Sequence, residues 1–128
     1  MDGEPPSIIA KRKLRSHQRI LEAPVCIVIC LYLRDLDQYP DPGRQQAEAT
    51  MAIQSLGAAA QNALLTAYQL GLDGGWMCAP LFCPDTVRAA LGLEADLHPH
   101  ALLTIGYAAK DPVRRDRLPL DKLIVHYD

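Results

Sequence analysis

Aromatic side chains are scarce in this chain of 128 residues, with one Trp, one Phe and five Tyr. Large rings therefore cannot fill the interior, and Ala, Leu, Ile and Val must build most of the core. Net charge is also low. A formal value of −2 with a pI near 6.0 offers no positive field to a polyanion, so no nucleic-acid partner is expected. The single basic cluster, Lys11-Arg12-Lys13-Leu14-Arg15, reads as the solvated face of a helix. The four cysteines, Cys26, Cys30, Cys78 and Cys83, form no Cys-x-x-Cys pair, which removes the usual zinc and dithiol signatures. Cys26 and Cys30 lie four apart in an apolar run and read as buried structural thiols on one strand face. His98-Pro99-His100 has neither carboxylate nor thiol company, so no metal site is expected there. No Ser/His/Asp or Cys/His constellation argues for hydrolysis. The opening Met-Asp-Gly-Glu-Pro-Pro has no apolar stretch of the secretory kind, and a cytoplasmic location with reduced thiols is the expectation.

Charge is absent altogether between residues 49 and 72, which raises the question of a membrane span. Gln54, Ser55, Gln61, Asn62, Thr66 and Gln69 answer it. Each amide would enter hydrocarbon at a cost, so no membrane partner is expected. The same stretch carries no helix breaker except Gly57, and it predicts one long helix over 44–70, ended by Gly71 and about 39 Å in length. Met51, Ile53, Leu56, Ala60, Ala63, Leu64, Leu65 and Leu70 go around its axis. A helix apolar on all sides must be covered on all sides. A chain this short cannot wrap it alone, so a homodimer through 44–70 is expected, with Ala58, Ala59, Ala60 and Ala63 permitting close approach.

Around that helix the pattern alternates. Ser7 serves as a candidate N-cap for a charged amphipathic helix to about Glu22, stopped by Ala23-Pro24. The run Val25 to Leu33 is apolar and β-branched, as in a strand covered on both faces. Residues 34–43 form a loop with Pro40 and Pro42. A short strand over Asp73–Ala79, a helix over Pro84–Leu91 closed by Gly92, and strands over Ala101–Tyr107 and Leu123–Tyr127 complete the sequence. Helices and strands in this proportion define an α+β class, with a sheet flanked by helices.

The segment Leu72-Asp-Gly-Gly-Trp-Met-Cys-Ala-Pro-Leu-Phe-Cys-Pro-Asp85 is the most specific in the chain. Its paired glycines allow a backbone to approach something flat or bulky. In order and spacing it resembles the flavin-facing segment of the nitroreductase family, and most of all the branch that includes the C-terminal domain of deazaflavin-cofactor glutamate ligases. Arg19 to Val25, Asp37 to Asp41 with Arg44, Ala47-Glu48-x-x-Met51, Gly106-Tyr107 and Arg115 to Asp121 extend the resemblance over nearly the whole chain. The resemblance implies a nitroreductase-like sheet with a long central dimer-interface helix, and two FMN sites between subunits. It implies hydride transfer from NAD(P)H or a related donor, with a substrate linked to deazaflavin cofactor maturation. Trp76, Met77, Ala79, Pro80 and Leu81 would then border the isoalloxazine through their backbone, and Arg115 and Arg117 would grip the phosphate, for which forked and permanently charged donors are suited.

The family's opening Arg-x-Ser/x-Arg motif, its first helices and its first strand have no counterpart here. The expectation is a single, N-terminally truncated domain over 1–128. Two or three missing charged hydrogen bonds would withdraw roughly 3–9 kcal/mol, enough to move a nanomolar cofactor to micromolar or beyond. An alternative reading follows: a catalytically silent dimerisation or accessory module without FMN. The missing strand would also leave an apolar sheet edge uncovered.

Overall fold

In the computed structural model, residues 3–110 and 116–124 are described. Helix α1 spans Pro6–Leu21, strand β1 Val25–Tyr32, helix α2 Pro42–Gln69, strand β2 Asp73–Met77, helix α3 Pro84–Leu91 and strand β3 Leu97–Gly106. Short 3-10 turns occupy Ala79–Phe82 and Leu120–Lys122. The strands form an antiparallel sheet in the order β1-β3-β2, confirming the α+β class.

Proline sets the helix starts. Pro6 begins α1 with Pro5 as N-cap, so Ser7 lies inside the first turn and is not the cap. Pro42 begins α2, and the Asp41 carboxylate accepts the Arg44 backbone N–H at 2.9 Å. The loop over 34–43 is thus shorter than its sequence suggested, because Pro42 needs no N–H partner at the first helical position. Left-handed glycines set two ends. Gly71 (φ 77°) lets Leu72 N–H reach the Ala67 carbonyl, and Gly92 (φ 64°) lets Leu93 N–H reach that of Arg88.

The core lies between the sheet and one face of α2. Leu31, Ala101 and Leu103 on the sheet and Ala60 and Ala67 on α2 are buried, Leu103 completely. Leu56, Ala63 and Leu64 join that face half-buried, a spacing of three and four that marks one stripe of a helix. The opposite side of α2 leaves Met51, Ile53, Leu65 and Tyr68 in solvent. Ala60 therefore packs within the chain and is not available to an interface, while Ala58 and Ala59 are exposed.

Several sequence expectations shift here. Strand β1 is not covered on both faces along its length: Val25, Cys26 and Ile27 at its start are exposed, and among the described strands it lies at an edge of the sheet beside β3. Cys26 is therefore not a buried thiol, and Cys30 is half-buried, its thiol pushed upward by loss of solvent. Strand β3 begins at Leu97, four residues before expectation, and incorporates Pro99 by a register shift opposite Ile29/Cys30. Strand β2 ends at Met77, since Pro80 turns the chain into the 3-10 segment. Leu123 and Ile124 belong to no strand, and the rest of the expected terminal strand lies outside the described residues. Among the described residues no helix is long and apolar enough to cross a membrane, and no cluster of metal-ligating side chains occurs.

Candidate functional site at the end of strand β2

Glycine explains the placement of β2 before any ligand is considered. A Cβ on Gly74 would collide with the Leu64 side chain of α2, and one on Gly75 would lie 2.8 Å from Thr104 Oγ1 on β3. The close approach that the paired glycines allow is thus to the central helix and the neighbouring strand. It brings β2 down onto α2 and fixes where the chain emerges at Trp76 and Met77.

Those two residues stand opposite Leu103 and Leu102 of β3. Alternation sends their side chains to opposite faces of the sheet. Trp76 shares the α2 side with Gly74 and remains 39% exposed, and Met77 is half-buried on the other side. Only their backbone can serve a common site edge. Beyond them Cys78 and Ala79 are exposed, Pro80 is buried, and Leu81 and Phe82 project outward, Phe82 at 87% exposure. Pro80, with Val28, Leu102 and Val87, lines an apolar groove of about 560 Å³ between the sheet and α3.

The electrostatics of this turn are those of backbone dipoles. The Leu81 N–H donates to the Cys78 carbonyl at 3.1 Å and the Cys83 N–H to that of Pro80 at 3.3 Å, while Cys83 Sγ–H donates to the Ala79 carbonyl at 3.5 Å. The N–H groups of Cys78 and Ala79 have no acceptor among the described residues. Among the described residues these two adjacent donors are therefore unengaged, just past the end of β2 and beyond the exposed Trp76.

Of the two arginines expected at a phosphate, Arg115 lies outside the described residues. Arg117 is exposed in the stretch before the Leu120–Lys122 turn. A second groove, about 370 Å³, opens at the opposite end of the sheet beside Gly75, Thr104, Gly106 and Tyr107. It starts where β2 begins and shares no residue with the Trp76–Leu81 segment. The donors at Cys78 and Ala79 were not singled out from sequence as a pair. Their availability depends on the ladder with β3 stopping at Met77 and on the 3-10 turn starting at Ala79, which spacing does not reveal.

Residues 3–107 match the model of the nitroreductase family, and the chain belongs to that family. An NADH dehydrogenase of Thermus thermophilus is 30% identical over 90% of this chain and 69% of its own length. A variant of the FMN and NADPH-dependent nitroreductase NfnB from Sphigopyxis sp. strain HMH superposes with a TM-score of 0.56 at 28% identity, over 95% of this chain and 52% of that one. A BluB-like flavoprotein from Clostridium difficile 630 shares the fold, with a TM-score of 0.67 at 19% identity over 96% of this chain and 65% of that one. The chain thus spans about half to two thirds of the length of these two solved structures.

Proposed function

We propose that this chain supplies the isoalloxazine-facing part of an FMN site in a homodimeric oxidoreductase that uses NAD(P)H or a related hydride donor. The observation that carries the proposal is the pair of unengaged N–H groups at Cys78 and Ala79 at the end of β2. Fixed donors directed at a ring that gains electrons stabilise the added negative charge without reorganising. Bound FMN would supply the two-electron carrier. Trp76 and Leu81 would flank its ring, and Met77 and Pro80 would hold the turn from the opposite side of the sheet. Arg117, with Arg115 beside it in sequence, would meet the phosphate. Membership of the family and the FMN and NADPH dependence of the NfnB relative support this reading.

The exposed side of α2, with Met51, Ile53, Leu65 and Tyr68, is the proposed dimer surface. The substrate belongs to deazaflavin cofactor maturation on the strength of the 72–85 resemblance. Action in the cytoplasm as a single domain fits four free cysteines. The second reading, a silent dimerisation module, is favoured by one observation: Arg117 is exposed and lines neither of the two grooves.

The visible spectrum of the purified chain after incubation with FMN and desalting separates the two. Retained flavin absorbance is the expected result, and none at high micromolar FMN would support the silent module. Arg117→Ala should weaken retention about tenfold to a hundredfold, the value of one charge-assisted hydrogen bond. Unchanged affinity would remove Arg117 from the site.

A further inference from the structure

Among the described elements, helix α1 is the long one that has no buried residue. Of its sixteen residues, Leu14 and Leu21 are 58% and 69% exposed. Five of the chain's Lys and Arg side chains lie in it (Lys11, Arg12, Lys13, Arg15 and Arg19) with no acidic residue among them. The rest of the chain carries eight basic against fifteen acidic side chains. The molecule is therefore polarised, with a positive arm on an acidic body.

The arrangement around the helix axis is specific. At about 100° per residue, Ala10, Leu14 and Leu21 fall on one narrow stripe. Lys11 flanks it on one side and Lys13 on the other, His17 borders it, and Arg15 lies beyond Lys11, next to the exposed Ile8. Ile20 points elsewhere, into the apolar groove beside Pro80, and a hydrogen bond from Cys26 Sγ to the Ile20 carbonyl holds the helix end to the sheet. Arg12 is partly engaged by Glu4 at 3.1 Å. An apolar stripe with long-stemmed cations on both sides is the geometry of a helix lying in a bilayer interface, leucines at the acyl boundary and cations among the headgroups.

We propose that α1 docks this protein peripherally on anionic phospholipid surfaces. The helix is about 24 Å long and would lie along the surface without crossing it. Nucleic acid would satisfy the cations and leave Leu14 and Leu21 against phosphate and water. A bilayer satisfies both, and the acidic body then faces away from the negative headgroups. The proposal stands independently of flavin binding, because no residue of α1 belongs to the segment at Trp76–Leu81.

Co-sedimentation of the full chain with phosphatidylcholine vesicles, with and without phosphatidylglycerol, tests it. Binding is expected only to the anionic vesicles and should fall as salt is raised. Lys11→Ala with Arg15→Ala should lower partitioning roughly thirtyfold, at about fivefold for each cation lost near the surface. Leu14→Ser with Leu21→Ser should weaken it separately. Far-ultraviolet circular dichroism checks that both variants remain helical, and flavin retention should be unchanged in both. Failure to bind anionic vesicles at low salt, equal binding to neutral vesicles, or binding indifferent to either double variant would overturn the proposal. So would competition by duplex DNA that is lost with the cations alone, or a fall in solution mass in the leucine variant, which would assign the stripe to a second copy.

Discussion

At the scale of single residues, glycine and histidine carry the sharpest expectations. A Cβ on Gly106 would lie 2.6 Å from Pro24 Cδ, whereas one on Gly74 would meet the end of the Leu64 side chain. A proline ring cannot rotate aside, but a leucine can. Gly106→Ala should therefore cost about 1–3 kcal/mol in chemical denaturation, as overpacking does, and Gly74→Ala distinctly less. Equal costs would show that Pro24 yields as readily as Leu64. His100 has its pKa lowered, first by loss of solvent and second by the neighbouring His98. Its unfolded form takes up a proton near 6.5 while the folded form resists, so stability falls as pH drops below that value. The loss of Tm between about pH 7 and pH 5 should be smaller in His100→Asn than in the parent. Asp41 has the opposite sense: the Arg44 backbone N–H and then the Arg44 side chain hold its carboxyl below the usual range. Its contribution is present above the ordinary carboxylate range and is lost as pH falls through the lowered value.

At the scale of elements, helix α2 divides its apolar residues between two tasks. Ala60 and Ala67 are buried on the face of the helix that meets β1 and β2, so a larger side chain there has nowhere to go. Ala60→Leu should lower the denaturation midpoint, costing about 1–3 kcal/mol, and a neutral result would show that the helix–sheet gap can open. Arg34 pairs with Asp96, tying the exit of β1 to the approach of β3, the two strands whose register carries Pro99. The Pro and Gly punctuation made the helices and the ends at Gly71 and Gly92 legible, because caps and turns are local chemistry, whereas the bounds of β2 and β3 shifted with their pairing. The order of the strands was not legible, because which strand becomes central depends on partners far along the chain.

At the scale of the whole molecule, the exposed side of α2 is the proposed dimer surface, and it can be tested without disturbing the core. Leu65 is 56% exposed in the single chain, so Leu65→Asp buries no charge unless a second copy covers it. The expected outcome is a folded monomer by light scattering where the parent is a dimer. A parent that is already monomeric at high concentration would overturn the interface. The candidate site was partly legible in the sequence: the 72–85 segment and the arginines could be named from their order. The unengaged donors at Cys78 and Ala79 could not, since they depend on the ladder stopping at Met77 and on Ala79 opening the 3-10 turn.

The sequence by itself determined the class of fold, the extent of the central helix, the turn at Pro80 and the family. Each of these rests on residue type, spacing or cap chemistry within a few positions. Only the tertiary structure decided that β1 lies at an edge among the described strands, that Gly74 and Gly75 accommodate Leu64 and Thr104, and that Trp76 and Met77 serve opposite faces. It also decided that α1 has no buried residue. Strand pairing and helix packing join residues distant in sequence, and their outcome depends on which surfaces meet in space.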